Sequence, residues 1–428
     1  MATGIMLTFF DFRNDVRKLI SEMVRLDDII VFIRPEHESL IQAYTDLGFQ
    51  YRLIDEASQG FNNTLAHYAF TLFRQLPASR QNYFLMEQFK SDSLPAVYKK
   101  KSQRLLQAQK ILPKTLSYDA YLNMLTFSGR TDLSGISKMI VWTEVYDDHL
   151  FARCVRTGVP TAVYVYSWDH ACKHVRFSKR VSYFVWHAGI AEDLQQLQHI
   201  DAQRIDVTGS TQLGFIDTFR QRQTTTLSKQ NVIYYGCGVG IQNLIPEEIR
   251  CIILLAECMR QVLPDHILMV RPYPNCRDWS VYDGLRALPN VDFDDQYRQN
   301  DLSVEEEAIM QKFERISTSK AFFHTGTTLG LEACFTDTPS FLLDLSPDNG
   351  NAVSMYHFVH QYQNQKYLID AAPQQVVTQI DQLMHILSDL DDPDHMTLHA
   401  KVQATFRVHS FAQIAKNILT NRLWLPYA

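Results

Sequence analysis

The chain has 428 residues, 46% apolar and 21% charged, which is enough apolar material for large cores and excludes a wholly disordered chain. At about 150 residues per domain, it holds two to three domains. Lys and Arg number 41 against 47 Asp and Glu, a net charge of −6, which argues against a general nucleic-acid binder, and 16 Gly with 15 Pro exclude a collagen-like or linker-dominated chain.

Strand and helix signals alternate from the start. Residues 5–10 form a short apolar run that predicts a buried strand. Over 15–26, Val16, Leu19, Ile20, Met23 and Val24 recur at helical spacing. The run 29–33 (IIVFI) predicts a strand closed by Pro35, 37–47 a helix ending at Gly48, and 51–54 a third strand. This order predicts a parallel sheet with right-handed crossovers. Residues 62–112 read as mostly helical. Strands are then predicted at 139–142, 161–166, 181–186 and 204–207, with helices at 147–157 and 190–199. The polar stretch 220–230 (RQRQTTTLSKQ) reads as a linker. Beyond it, strands at 231–235, 267–270, 291–293, 320–323 and 340–343 alternate with helices at 246–262, 303–317 and 327–335. Helices at 373–388 and about 400–421 close the chain, the last bracing the first domain. The fold expected is α/β, with two Rossmann-like, doubly wound domains (1–219, with a helical insertion at about 60–130, and 231–399) facing a cleft.

Seven cysteines, an odd number with no CxxC pair, point to a reducing compartment rather than to a disulfide framework or a structural zinc. The N-terminal run lacks a preceding charged region and is broken by Asp11, Arg13 and Asp15, so it does not read as a signal peptide. No stretch of about 18 apolar residues occurs. The expected location is the cytoplasm, with a peripheral contact to the inner membrane face left open.

In open α/β sheets, ligands sit beyond the carboxyl ends of the strands. Six turns there carry candidate chemistry. In AFFHTGTTLGLEA (321–333) a strand gives way to a turn of His324, Thr325 and Gly326, then to a helix at Thr327 and Thr328. Small residues admit a ligand to the backbone, and helical N–H groups favour phosphate. Glu332 lies too far along for a capping box and is free to accept from ribose hydroxyls. The plain alternative is a strand-to-helix turn capped by Thr. In VRPYPN (270–275), Pro272 and Pro274 stiffen the turn behind Arg271, whose guanidinium fork suits a diphosphate. YGCGVG (235–240) puts Gly236 and Gly238 after a strand, but matches neither the dinucleotide nor the P-loop pattern. In the first half, the strand-end loops place Asp11, Asp169, His170 and His187 on one edge, where a carboxylate or imidazole can take a proton from a hydroxyl; each also suits a turn-capping role.

Two basic clusters, Lys99 to Lys114 and Lys173 to Arg180, read as solvated faces or anion contacts, the first also as a membrane-facing one. Asp292 and Asp294 have D-x-D spacing, which reads as an acidic turn more readily than as a metal site. No HExxH, EF-hand or GxSxG pattern is present.

The run from Phe323 to Leu343 resembles the donor-binding turn and helix of GT-B glycosyltransferases. Arg271-Pro-Tyr-Pro resembles the R-P-H-P turn of the broader group that includes sugar-nucleotide 2-epimerases and glycerophosphate transferases, with Tyr273 in the place of His. Tyr166-Ser-Trp-Asp-His, Phe184-Val-Trp-His and Val207-Thr-Gly are similar to a Ser-Trp-Asp-Asn, Trp-Asn, Val-Thr-Gly order in bacterial surface-polysaccharide proteins of this fold. The resemblance implies a transferase that moves a sugar from a nucleotide-sugar to a hydroxyl of a glycan or lipid-linked acceptor, without a metal or other cofactor and without nucleic acid. Arg271 and the turn at Thr325 to Thr328 would hold the diphosphate, Glu332 the ribose, and Asp169 or Asp11 would act as base, with His170 and His187 behind them. The alternatives are an epimerase or polyol-phosphate transferase of the same fold, a non-catalytic binding protein and, less well fitted, a metal-dependent transferase using Asp292 and Asp294.

Overall fold

The apolar runs build two parallel sheets. The computed structural model describes residues 1–7, 14–56, 61–92, 94–126, 129–143, 147–223, 227–238, 244–273, 276, 278–295, 305–345, 355–362 and 365–424. The first sheet contains β1 (Ala2–Met6), β2 (Ile29–Ile33), β3 (Gln50–Leu53), β4 (Ile136–Trp142), β5 (Thr161–Tyr164), β6 (Ser182–Val185) and β7 (Ile205–Val207), in the order β3-β2-β1-β4-β5-β6-β7. The second contains β8 (Val232–Gly236), β9 (Ile267–Arg271), β10 (Val291–Phe293), β11 (Ala321–His324), β12 (Ser340–Leu343) and β13 (Val376–Val377), in the order β10-β9-β8-β11-β12-β13. In each, the first strand lies inside and the order reverses beside it, between β1 and β4 and between β8 and β11; this doubly wound pattern positions a ligand at the reversal.

The chain divides into two units. The first comprises Met1–Tyr83, Gln103–Gly214 and Arg407–Ala428; the second comprises Phe84–Ser102 and Phe215–Phe406. In the first, β2 is buried along its whole length, as a strand covered on both faces must be. The helix Phe411–Leu419 lays Ile414, Ala415 and Ile418 against Val16, Leu19, Ile20 and Met23 of the helix Asn14–Val24, all of them wholly buried. Burying each large apolar side chain there contributes about 1.5–3 kcal/mol. In the second unit, Ile233, Tyr235, Leu268, Val270, Phe323 and Phe341 form one core with Ile252, Leu255 and Met259 of the helix Ile245–Val262. All seven cysteines are buried and none is in a disulfide.

Several elements differ from the sequence reading. The first strand begins at Ala2, whose N–H donates to Gly135. The predicted helix at 37–47 is two short turns, Glu38–Gln42 and Thr45–Leu47, ended by Gly48 at φ +92°. Residues 62–112 hold three helices, Phe61–Phe73, Arg80–Asp92 and Ala96–Ile111, separated at Pro77 and Pro95, which cannot continue a helix. The helix Thr211–Arg222 runs into the polar stretch 220–230, where Arg222 pairs with Glu306 and Glu307. The region 373–388 contains β13, only two residues long, ahead of the helix Ile380–Ser388. Asp11, Gly240, Pro274, Asn275 and residues 8–10 and 303–304 lie outside the described residues. Among the described residues, no helix is long and apolar enough to cross a membrane.

Candidate functional site

The order reversal of the second sheet brings the predicted turns together. Gly236 pairs in register with Arg271 on one side and His324 on the other, so the ends of β9, β8 and β11 form a row. Glu248, from the first turn of the helix Ile245–Val262, is wholly buried behind it. Its Oε1 accepts from the Gly238 N–H at 2.8 Å and from the Thr325 hydroxyl at 2.7 Å, tying the two glycine-containing turns together. At Gly238 a Cβ would meet Thr325 Oγ1 at 3.1 Å and Thr327 Cβ at 3.2 Å, so the turns are in close contact.

The turn itself is heavily hydrogen-bonded. Nδ1 of His324 accepts from the Gly326 N–H at 2.9 Å, and burial pushes this imidazole down to about 3, so it stands neutral at physiological pH. The helix Thr328–Ala333 rests on the ring: a Cβ on Gly330 would lie 2.2 Å from Cε1. Thr327 caps that helix by accepting from the Leu329 N–H. The helix has only six residues, so its dipole is small, and the N–H groups of Gly326, Leu329 and Gly330 are already engaged. The side chains of Thr327 and Thr328 are half-buried, while Thr325 is wholly buried.

Gly326 has φ +93°, and a Cβ there would fall 2.3 Å from Nε2 of Gln365, which donates to the Gly326 carbonyl at 2.8 Å. Alanine at 326 is therefore expected to cost about 2–3 kcal/mol, from left-handed strain and the lost hydrogen bond. Chemical denaturation measures it. Adding Gln365→Ala is expected to relieve the clash and leave the strain and the lost hydrogen bond; a single variant as stable as the parent would refute the constraint.

A network of charges flanks the row. Arg271, only 7% exposed, donates to Asp294 at 2.8 Å. Asp294 also accepts from Arg315 and from the Tyr234 hydroxyl. Glu332 pairs with Lys312, whose ammonium is lowered by burial and by Arg271, with Glu332 acting against both. Three cations and two carboxylates thus form one network at the strand ends, with the buried Glu248 a third carboxylate behind the row. Asp292 accepts from the Phe293 N–H and Asp295 pairs with Arg286, so the acidic turn is spent on protein partners. Among the described residues, no three His, Cys, Asp or Glu converge as a metal site.

In the first unit, Asp169 accepts from the Ser167 hydroxyl at 2.6 Å and pairs with Lys173 at 3.0 Å. Burial alone would raise its carboxyl, but Lys173, His170 and Ser167 outweigh it and hold it below its ordinary value. His170 is buried and stands edge-on to His174, with ring centres 4.8 Å apart. His187 caps the helix Ala188–Gln198, its Nδ1 accepting from the Gly189 N–H at 3.1 Å, and burial lowers it to about 3. The basic cluster after Asp169 is also engaged: Arg176 lies 3.6 Å from Asp148, and Arg180 donates to Asn123.

Sequence reasoning missed the residues that act across elements: Glu248, Lys312, Arg315 and Gln365. It also missed Asp15, which accepts from the hydroxyls of Tyr166 at 3.0 Å and Thr211 at 2.8 Å and so joins the ends of β5 and β7. A signal for burial, though not for a partner, existed at Glu248, an acid on the apolar stripe of Ile245, Ile252, Leu255 and Met259.

No family model and no curated protein matches the chain. Solved structures do. The chain is similar to a putative UDP-N-acetylglucosamine 2-epimerase from Listeria monocytogenes, with 11% identity, 97% of this chain and 94% of that one covered, and a TM-score of 0.51. It is similar to S. aureus MnaA solved with UDP, with 9% identity, 98% and 96% covered, and a TM-score of 0.51. At such identity the likeness is one of architecture, and the chain has the two-domain parallel-sheet fold of the GT-B type.

Proposed function

We propose that the chain is a glycosyltransferase that takes its donor as a nucleotide-sugar and passes the sugar to a hydroxyl of a glycan or lipid-linked acceptor. The observation that carries this reading is the convergence of Arg271, Arg315 and Lys312 at the order reversal of the second sheet, beside a turn of small residues. In transfer, the acceptor oxygen bonds to the anomeric carbon, the bond from that carbon to the diphosphate oxygen breaks, and the nucleoside diphosphate leaves with the electron pair. Arg271, with Lys312 behind it, stabilises that charge; the hydroxyls of Thr327 and Thr328 orient the phosphates, and Glu332 accepts from the ribose. Protein cations then do the work that a divalent ion would otherwise do. Asp169 is assigned the acceptor proton: it is ionised at neutral pH, and its side chain keeps 16% of its surface exposed.

Thermal unfolding with UDP, GDP, CDP, CMP, ADP and dTDP, each with and without EDTA, tests the reading. One nucleotide is expected to raise the midpoint selectively, and EDTA to leave the shift unchanged; at a hundredfold excess over Kd the gain is about 2.7 kcal/mol. Arg271→Lys keeps the charge beside Asp294 but loses the fork, and is expected to weaken that nucleotide about tenfold or more. An unchanged affinity would remove the diphosphate assignment, and no shift with any nucleotide would sink the reading.

Epimerisation of the sugar nucleotide is the second reading, favoured by the Listeria protein's description as a putative 2-epimerase. Incubation of the full chain with the identified donor, followed by NMR of the sugar, separates the two: a new epimer without acceptor favours epimerisation, and an inert donor that reacts only with acceptor favours transfer.

A further inference from the structure

One stretch of the chain runs against its overall charge. Residues 57–118 carry nine Lys and Arg against Glu87 and Asp92, a net charge of +7, whereas the rest of the chain carries −13. Residues 93–118 hold no Asp or Glu. We propose that the helix Ala96–Ile111, within this stretch, is a docking face for an anionic phospholipid bilayer. The proposal does not depend on the transferase reading above.

The helix has an inward and an outward side. Leu106 and Gln109 are its buried residues, and the Gln109 amide donates to the Thr71 carbonyl of the helix Phe61–Phe73. Opposite them, Val97, Lys101, Arg104, Ala108 and Ile111 follow one another at steps of four and three residues, the period of one helical face. Ala108 is half-buried; the other four are exposed, Val97 at 81% and Ile111 at 86%. Lys100 borders this face on one side and Tyr98, 61% exposed, on the other. Lys99 pairs with Asp92 at 3.1 Å, but Lys100, Lys101 and Arg104 have no carboxylate partner among the described residues.

Charge and apolar content together select the partner. Each Lys or Arg held near an anionic membrane surface strengthens binding about fivefold. Screening confines that attraction to charges within about 8–10 Å, so acidic residues farther off weigh little. Val97 and Ile111 stand about 21 Å apart along the helix axis, with the cations between them. On a nucleic acid, the cations would find phosphates and the two aliphatic side chains would stay in water. On a bilayer both kinds of residue are used: the aliphatic ends bury at the boundary between headgroups and acyl chains, and the long Lys and Arg side chains reach back to the lipid phosphates.

Co-sedimentation of the full chain with vesicles tests this. Binding is expected to phosphatidylcholine vesicles holding about 30% phosphatidylglycerol and not to pure phosphatidylcholine, and is expected to weaken about tenfold or more between roughly 50 and 500 mM salt. Lys101→Ser with Arg104→Ser is expected to weaken it about 25-fold. Val97→Ser with Ile111→Ser, which leaves the charge unchanged, is expected to weaken it about tenfold. All four side chains are exposed, and an unchanged thermal midpoint shows that the variants are folded. No binding to the anionic vesicles, equal binding to the neutral ones, or full binding by either double variant would each overturn the proposal. So would a single-stranded oligonucleotide that displaces the vesicles, which would make the partner a nucleic acid. The nucleotide panel is run on the same samples. Vesicle binding without any nucleotide shift would retain the docking face and remove the transferase reading, whereas a nucleotide shift without vesicle binding would remove the docking face alone.

Discussion

Replacing Asp294 by alanine is expected to destabilise the protein by about 3–5 kcal/mol, the cost of leaving a buried charge without its partner. Asp294 is 3% exposed and receives Arg271, Arg315 and the Tyr234 hydroxyl. Its loss removes the ion pair of the Arg271 guanidinium, itself 7% exposed, and the hydrogen bond of the Tyr234 hydroxyl at the end of the second sheet. Adding Arg271→Met removes the buried charge that faced Asp294, so the double variant is expected to recover part of the loss. Urea unfolding of the parent, both single variants and the double variant completes the cycle. A double variant less stable than the two single losses combined would show that the pair is not the coupled unit described. The same experiment bears on metal binding: a D-x-D metal site would make the stability of the parent sensitive to EDTA, whereas a protein-paired Asp294 would not.

Acid is expected to unfold the protein partly through His324. The ordinary imidazole titrates near 6.5, but burial takes this one to about 3 while Nδ1 accepts from Gly326. The unfolded chain therefore binds a proton that the folded chain refuses between those values. The sign follows: the contribution is fully present above 6.5 and is lost as pH falls toward 3. At about 1.4 kcal/mol per pH unit, the whole span is worth on the order of 4–5 kcal/mol. His324→Asn keeps an oxygen able to accept from Gly326 and removes the titration. Its stability is expected to fall less between neutral pH and pH ~4.5 than that of the parent, by about 2–3 kcal/mol. Equal slopes would mean that His324 takes up its proton without unfolding. His187, also lowered to about 3, acts in the same sense on the first unit.

What could be read in the sequence depended on the range of the interaction. The strands β2, β10 and β12 carry the bounds predicted for them; β2, buried on both faces, is apolar throughout. The turn His324 to Thr328 was legible because small residues and a capping Thr are local signals. Glu248 was not, because its partner Thr325 lies 77 residues away and nothing local marks the pairing. Asp15 joins residues 151 and 196 positions away, and on sequence alone it was merely a charge interrupting an apolar run. His187 and Asp169 were legible as residues at strand ends suited to a cap, but the N–H or cation that each engages appears only with the fold. β13 was missed because two apolar residues carry no measurable period.

The first unit is assembled from three stretches of chain, and the last, Arg407–Ala428, arrives after the whole of Phe215–Phe406. During synthesis, residues 1–214 therefore leave the ribosome with the apolar faces of Val16, Leu19, Ile20 and Met23 uncovered, awaiting Ile414 and Ile418. At about 5–20 residues per second that wait lasts roughly 10–40 s. The later-made unit can therefore finish folding first, and a nascent chain stalled before residue 411 would present a groove of the kind that holding chaperones bind.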